Sequence, residues 1–211
     1  MSNTIKLYGG PRTSASRVYW MLEELGLKYE VIPLDLSKRE QKGDAYMKLN
    51  PNGKVPTLID GDQVIWESMA INTYLAEKAK SPLAGTSAVE KGLIQQWSFW
   101  AMLELQKPAV DWLIQEMFVP ADKKEPKVIE KSKETIGQVL PILDREFTSK
   151  QFLVGDRFTM ADLNVASIVS ICAALRFDMT PYKNINKWMS ACSDRPAFQK
   201  LKTLREAAQR A

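Results

Sequence analysis

The sequence predicts two domains of different class, an α/β domain over residues 1–80 and an all-helical domain over residues 89–211. In the first domain, short strand and helix patterns alternate in the order βαβαββα. After it, the spacing of apolar residues is helical throughout. Residues 81–88 separate the two domains, and their serine, proline and glycine content is typical of a linker.

The elements of the first domain follow from apolar periodicity and turn residues. A strand pattern at residues 4–8 should end at the turn signal Gly9-Gly10-Pro11. A helical pattern begins at Ser14, and Gly26 stands where a glycine commonly ends a helix. The other predicted elements are a strand at 29–32, a weakly determined helix at 37–48, a hairpin formed by 55–59 and 64–66, and a helix that ends near residue 80.

The second domain is predicted to consist of helices only. Its first long pattern covers residues 88–118, and Pro108 should kink or split it because proline lacks the N–H that a helix interior needs. Further helices are expected at 125–149, with Pro141 as another kink, and at about 160–176, 184–193 and 196–209. Thr159 followed by Asp162 predicts a capping box at the start of one of them.

Composition narrows the classes of function. The chain has 211 residues, 45% of them hydrophobic and 26% charged, which are ordinary values for a globular protein. Its 29 basic and 25 acidic residues are mixed along the sequence, without a basic stripe interleaved with aromatic residues, so no nucleic-acid partner is expected. Neither a signal peptide nor a membrane-spanning segment is visible, and two distant cysteines form no CxxC motif. We therefore expect a protein of the reducing cytoplasm that has no membrane partner.

The sequence contains no histidine. This excludes a Ser-His-Asp or Cys-His catalytic arrangement and a histidine-ligated zinc site. Any catalysis must use hydroxyls, backbone dipoles, carboxylates, lysine, arginine, or a nucleophile that the substrate itself brings.

The segment Asn50-Pro51-Asn52-Gly53-Lys54-Val55-Pro56 is the most specific motif. If the Val55–Pro56 bond is cis, the chain turns there, and the N–H and C=O of Val55 face outward. A peptide-like ligand would then pair with Val55 as an added strand. The alternative interpretation is an ordinary loop that enters a sheet.

Two helix starts carry further candidates. Glu67 and Ser68 begin a helix whose free N–H groups and positive dipole end favour a carboxylate, while Glu67 suits an ammonium group. Thr13, Ser14 and Ser16 lie at a strand–loop–helix junction, where a hydroxyl can hold a thiolate and lower the thiol pKa from its ordinary value of about 8.5. For both sites the alternative role is capping, which serine and threonine perform for stability alone.

Together these motifs resemble the cytosolic glutathione transferases, in particular bacterial serine- or threonine-type members (theta-, phi- or nu-like). The resemblance covers the whole chain: LYGGPRTSASRVYWMLEELGLKYE, LNPNGKVPTLIDGD, WESMAINTYLAEK and then the helical half. It implies a thioredoxin-like first domain and a detoxifying enzyme that joins the thiolate of its co-substrate glutathione to a small hydrophobic electrophile. It also implies a homodimer and no metal.

The resemblance assigns roles to particular residues. It implies a cis Val55–Pro56 bond, with the Val55 backbone on the cysteinyl part of glutathione and Glu67 and Ser68 on the γ-glutamyl part. The remaining assignments are Gln41, Lys42 and Lys54 near the glycine carboxylate, and Thr13 as the activating hydroxyl, with Ser14 and Ser16 left open.

The electrophile is expected between the domains, over Pro11-Arg12 and the first long helix. The candidate lining residues are Trp97, Trp100, Met102, Gln106 and Met117, although aromatic and Met residues at helical spacing also suit a core. Two other functions are compatible with the sequence: a glutathione-dependent peroxidase or disulfide reductase, and a non-catalytic binding module with a transferase-like fold.

Overall fold

The structure is a computed structural model that describes residues 4–210. The chain divides into two compact units. Of the described residues, the first unit contains those up to Ala84 and those from Asp194 to Arg210, and the second contains Gly85–Ser193. The α helices are α1 Ser16–Glu24, α2 Asp44–Met47, α3 Ser68–Lys78, α4 Ala88–Trp100, α5 Lys107–Met117, α6 Pro126–Glu146, α7 Met160–Ala174, α8 Lys183–Ser193 and α9 Pro196–Arg210.

The first unit contains the four strands that the sequence predicted, and they form one mixed sheet. Its strands are β1 Ile5–Tyr8, β2 Tyr29–Ile32, β3 Thr57–Asp60 and β4 Gln63–Trp66, in the order β2-β1-β3-β4. Strand β1 pairs parallel with β2 and antiparallel with β3, and β3 pairs antiparallel with β4. Leu7 and Leu58 of the two central strands and Ile71 of α3 are fully buried, so side chains of β1, β3 and α3 contribute to the core of this unit.

Helix α1 begins two residues later than predicted. The hydroxyl and carbonyl of Thr13 bond the N–H groups of Ala15 and Ser16, so residues 13–15 form a turn ahead of the helix. The helix ends as expected, because Gly26 has φ of 61° and the Leu27 N–H donates to the Leu22 carbonyl at 3.0 Å. The segment predicted as one helix at 37–48 contains a 3₁₀ turn at Glu40–Lys42 and then α2.

In the second unit, Pro108 splits the first long helix as predicted. A π-helical stretch, Ala101–Gln106, separates α4 from α5. Proline cannot donate to the carbonyl four residues before it, and its ring clashes with that carbonyl, so the wider π turns absorb the mismatch. Helix α6 continues through Pro141. Helix α7 starts with the predicted capping box of Thr159 and Asp162.

The carboxy-terminal helix α9 belongs to a different unit in the structure than the sequence predicted. The sequence assigned residues 89–211 to one helical domain, whereas in the structure α9 contacts α1 and groups with the first unit. The domain boundaries stay a prediction. Within residues 4–210, no helix is both long enough and apolar enough to cross a bilayer.

Candidate functional site

The three predicted motifs meet at one end of the sheet. In the strand register, Thr57 at the start of β3 pairs with Tyr8 at the end of β1 and with Trp66 at the end of β4. The hydroxyl loop follows β1, the Val55–Pro56 pair precedes β3, and the start of α3 follows β4. Sheet pairing therefore brings together segments that lie about 50 residues apart in the chain.

Gly9 fixes the distance between the first two segments. A Cβ on Gly9 would lie 2.9 Å from Cβ of Val55 and 3.2 Å from Cβ of Ala15, and the residue has φ of 113°. Only glycine tolerates both that approach and that backbone conformation without a shift. The hydroxyl loop thus begins directly against Val55.

The Val55–Pro56 bond is cis, in agreement with the resemblance. The preceding carbonyl, that of Lys54, accepts hydrogen bonds at 2.7 Å from both the Tyr46 hydroxyl and Nδ2 of Asn50. These bonds hold the loop in place. Among residues 4–210, no hydrogen bond engages the backbone N–H or C=O of Val55. A rigid loop with an open backbone donor and acceptor suits an added strand.

The start of α3 is open to an anion. Its N-cap residue, Glu67, has φ of 69° and ψ of 113° and makes no capping hydrogen bond through its side chain. Ser68 is buried, and its Oγ accepts a hydrogen bond from Nη1 of Arg17 at 3.2 Å. Because Oγ acts as the acceptor in that bond, the hydroxyl hydrogen is left to donate. The N–H groups of the first turn and this hydroxyl form a site of the kind that binds carboxylates.

Arg17 adds positive charge below this site. It is only 2% exposed, and burial lowers its pKa from 12.5 to about 10, although the nearby Glu67 carboxylate acts in the opposite direction. A group with a pKa of about 10 is still protonated at neutral pH. The guanidinium therefore supports anion binding at Ser68 while holding that side chain in one orientation.

The three loop hydroxyls differ in their hydrogen bonds. Thr13 Oγ1 donates to the Gly10 carbonyl at 2.8 Å and accepts the Ala15 N–H at 3.1 Å, so it stabilises its own turn. Ser14 is half-buried and Ser16 is buried, and no hydrogen bond within residues 4–210 engages either hydroxyl. Thr13 fits the capping interpretation, whereas the two serines remain available to a ligand.

Of the three residues predicted to lie near the glycine carboxylate, Lys42 contacts the loop before Val55. Nζ of Lys42 donates to the Asn52 carbonyl at 3.0 Å, and a Cβ on Gly53 would lie 2.7 Å from Lys42 Cδ. Lys54 is exposed. Oε1 of Gln41 is buried and has no hydrogen-bond partner within the described chain.

The candidates for the electrophile pocket lie in both units. Pro11 and Arg12 belong to the hydroxyl loop of the first unit. In the second unit, Trp97 is 7% exposed and its ring centroid lies 5.2 Å from that of Trp100, which fits a packing role. Met102 and Gln106 lie in the π-helical stretch, and Met117, at the end of α5, is 58% exposed. Their pocket role stays a prediction.

Sequence reasoning missed the residues that support the site. Arg17 stood at the end of the hydroxyl motif without a role, Asn50 was seen only as a turn residue, and Tyr46 gave no signal. Their roles depend on partners 51, 4 and 8 residues away, respectively. Within residues 4–210, no group of three His, Cys, Asp or Glu side chains is placed to hold a metal ion.

Comparison with known proteins agrees with this geometry. Residues 3–77 match the family model described as glutathione S-transferase, N-terminal domain, and residues 106–196 match glutathione S-transferase, C-terminal domain. Glutathione S-transferase 3 of Zea mays is 32% identical, with coverage of 93% of this chain and 92% of the relative. A probable glutathione S-transferase of Oryza sativa subsp. japonica is 33% identical, with coverage of 95% and 96%.

Solved structures show the same fold over the full length. Poplar glutathione transferase F1 superposes with a TM-score of 0.89 at 29% identity, covering 98% of this chain and all of that one (100%). A glutathione transferase of Phanerochaete chrysosporium, solved with oxidized glutathione, gives a TM-score of 0.87 at 27% identity, with coverage of 100% and 99%.

The comparisons correct the expected class. The curated relatives are plant phi-class enzymes, so the theta-like and nu-like bacterial types suggested by the sequence are not supported. The two-domain fold and the family itself are confirmed. With both domain models matched and relatives above 30% identity along nearly the whole chain, this protein belongs to the glutathione S-transferase family and is a glutathione transferase.

Proposed function

We propose that this transferase binds glutathione at the end of the sheet where its three motifs meet, and that Ser14 activates the thiol for attack on a small hydrophobic electrophile. The observation that carries the proposal is the combination of an open backbone donor and acceptor at Val55 with an uncapped helix start at Ser68. Glutathione needs both, because it combines a peptide backbone with a γ-glutamyl carboxylate.

Each part of the tripeptide has a matching group in the first unit. The Val55 N–H and C=O pair with the cysteinyl residue, and the α3 start with the Ser68 hydroxyl receives the γ-glutamyl carboxylate. Glu67 is exposed beside it and accepts the ammonium group. Gln41, Lys42 and Lys54 lie towards the glycine carboxylate. This arrangement leaves the cysteinyl sulfur facing the hydroxyl loop, which begins against Val55.

Ser14 is the preferred activating group because its hydroxyl has no partner within the described chain and is less buried than that of Ser16, whereas Thr13 already donates its proton to Gly10. A hydroxyl that donates to the sulfur stabilises the thiolate. Each unit by which the thiol pKa falls corresponds to about 1.4 kcal/mol of thiolate stabilisation relative to the thiol. The thiol proton passes to solvent. The thiolate then forms a bond to the electrophilic carbon, and the leaving group departs with the bonding electron pair. Histidine is not required for this chemistry.

The finer expectations belong to the same proposal. We assign the enzyme to a phi-like, serine-dependent type, because the relatives are phi-class and Ser14 is free to act. We also propose a cytoplasmic homodimer, a domain boundary at residues 81–88, and a role in electrophile binding for the π-helical residues Met102 and Gln106 of the second unit. The exposed apolar side chains Val64 and Trp66 on β4 support a partner surface there.

The test combines calorimetry with a conjugation assay on a chloronitrobenzene substrate. Ser14→Ala should leave glutathione affinity within about twofold, raise the pKa of the bound thiol by about one unit and lower kcat/KM about tenfold at neutral pH. Ser16→Ala is measured in parallel; if it shows the loss and Ser14→Ala does not, Ser16 is the activating residue. If Thr13→Ala carries the loss instead, Thr13 is the activating residue; if removal of all three hydroxyls leaves turnover unchanged, hydroxyl activation is wrong. Absence of binding heat would contradict the proposed site.

A further inference from the structure

The carboxy-terminal helix reaches the hydroxyl loop of the first unit. Helix α9 lies along α1, and the ring centroids of Trp20 and Phe198 are 4.7 Å apart. At one end of this contact, Arg195 forms two hydrogen bonds of 2.7 Å with the Glu24 carboxylate. At the other end, Nε of Arg205 donates to the Pro11 carbonyl at 3.2 Å. The helix thus spans α1 from its last turn to the loop that precedes it.

The bond from Arg205 falls on the middle of a tight turn. The Thr13 N–H donates to the Gly10 carbonyl at 3.1 Å, so residues 10–13 form a β-turn with Pro11 in its second position. Arg12 does not have a positive φ, which excludes a type II turn and leaves type I. The two types differ mainly by a flip of the central peptide, here the peptide between Pro11 and Arg12.

A carbonyl in that position needs an external partner. The Gly10 carbonyl is satisfied from within the turn, because it accepts from the N–H and the hydroxyl of Thr13. The Pro11 carbonyl is held by Arg205, which is half-buried. Since the C=O and N–H of a trans peptide point in opposite directions, this bond also fixes the Arg12 N–H away from α9.

We infer that Arg205 is a positioning residue for thiol activation: through its bond to Pro11 it holds the turn that presents the hydroxyl loop to the sulfur. This inference rests on the proposed function, and it makes α9 part of the glutathione-activating unit. Neither the sequence pattern nor the three motifs pointed to a residue so near the end of the chain. Only the contact of α9 with α1 places it there.

Arg205 also carries a positive charge, so the alternative role is a direct electrostatic stabilisation of the thiolate. Its guanidinium lies near enough to Arg17 to lower the pKa of Arg17, after the larger effect of burial and against the effect of Glu67. A cation in this region would favour a thiolate without any bond to Pro11. The decisive experiment must therefore separate the hydrogen bond from the charge.

Two substitutions of nearly equal shape make that separation. In Arg205→Gln, the amide nitrogen occupies the place of the arginine Nε, so the donor is kept and the charge is removed. In Arg205→Met, a methyl group occupies that place, so both are removed. Lys200→Met is the control on the same helix, because Lys200 pairs with Glu23 at 3.0 Å and makes no hydrogen bond to the loop within residues 4–210.

The measurements are glutathione affinity, the pKa of the bound thiol from its ultraviolet absorbance, and kcat/KM against pH. Arg205→Met should raise the bound-thiol pKa by about one unit and lower kcat/KM about tenfold at neutral pH, with affinity changed less than about threefold. Arg205→Gln should recover most of that loss. Lys200→Met should show the wild-type thiol pKa.

Equal losses in the Gln and Met variants would overturn the inference in favour of a charge effect, and wild-type behaviour in both would overturn it outright. If Arg205→Met does not fold, Arg205→Lys serves instead: it keeps the charge but moves the donor one bond further. Wild-type pKa in Arg205→Lys, with a loss in Arg205→Gln, would again contradict the hydrogen-bond role. A wild-type enzyme that neither binds nor conjugates glutathione would refute the proposed function instead, so the two failures are distinguishable.

Discussion

Helices α7 and α3 begin with similar polar residues but treat their first N–H groups in opposite ways. At the start of α7, the Thr159 hydroxyl accepts the Ala161 N–H at 3.3 Å, and the Asp162 carboxylate accepts the Thr159 N–H at 2.9 Å. That carboxylate also accepts from the Leu153 N–H and from Nε1 of Trp188, both at 2.9 Å. Burial raises the pKa of Asp162, and these hydrogen bonds act against that effect.

At the start of α3 the corresponding groups are left open. Glu67 has a positive φ and no capping hydrogen bond, and Arg17 fixes Ser68 as an acceptor. A non-glycine residue in such a conformation costs about 1–3 kcal/mol and persists only where the surrounding structure imposes it. The uncapped start and the strain at Glu67 together make α3 a site for a ligand, whereas the filled cap of α7 stabilises the fold.

This difference teaches how to distinguish folding caps from binding sites. The sequence motifs are similar in composition, since each places a hydroxyl residue and an acidic residue at the start of a helix: Glu67 and Ser68 are adjacent, whereas Asp162 follows Thr159 by three residues. What separates them is whether the chain itself occupies the donors. Three predictions test the comparison, from the largest effect to the smallest.

Removing the Asp162 carboxylate should damage folding without altering glutathione recognition. Asp162→Ala leaves three buried N–H donors without an acceptor, so we expect a loss of about 3–5 kcal/mol in the free energy of unfolding. Urea denaturation measures it, and Asp122→Ala, at an exposed acidic residue, is the control. Folded Asp162→Ala protein with much weaker glutathione binding would contradict the division of roles.

Removing the Ser68 hydroxyl should weaken glutathione binding more than it affects folding. Hydrogen bonds to charged groups contribute about 1.5–3 kcal/mol, so Ser68→Ala should weaken glutathione binding by about 2 kcal/mol, or roughly 30-fold. Calorimetry measures the loss. Ser167→Ala is the control, because that buried hydroxyl donates within α7 to the Leu163 carbonyl at 2.7 Å. Equal affinity for both variants would mean that α3 does not hold the ligand.

At the start of helix α4, side chains of the protein itself again cap the backbone N–H groups. We expect this cap to affect the stability of the protein at acidic pH. Ser87 Oγ accepts the Glu90 N–H at 3.2 Å, and Glu90 reaches back to Thr86 and to Arg157. The hydrogen bond from Arg157, followed by those from Thr86, lowers the pKa of Glu90 from 4.5 to about 2. A lowered carboxylate pKa gives stability that is complete above the ordinary value of 4.5 and is lost as the pH falls towards about 2.

Glu90→Gln should therefore flatten the fall in unfolding free energy between about pH 4.5 and pH 2, and should reduce stability slightly at neutral pH. The effect is the smallest of the three, because both partners of the ion pair remain partly exposed. Denaturation at several pH values measures it, with Glu134→Gln, an exposed i,i+3 pair, as the control. If the pH dependence of the unfolding free energy is the same in Glu90→Gln as in the wild type, the interactions of Glu90 at the α4 start contribute little to stability.

The sequence by itself determined the elements and the motifs. Strand alternation, the glycine at position 26, the proline at 108 and the pair Thr159–Asp162 each act over a few residues, so local physics fixes them. The convergence of motifs was also inferable, because a hairpin and a parallel pair bring strand ends together. The finer class of the enzyme could not be predicted from the motifs. The start of α1 could not be predicted either, because a turn at the end of β1 competes with the helix there.

Only the tertiary structure decided which polar groups remain free. That Thr13 is engaged while Ser14 is open, that Arg17 holds Ser68, and that Arg205 reaches Pro11 all depend on partners that the sequence pattern does not reveal. A periodic pattern states which face of a helix is buried, but not which neighbour covers it. A hydrogen bond depends on distance and direction, and packing sets both after the chain has folded.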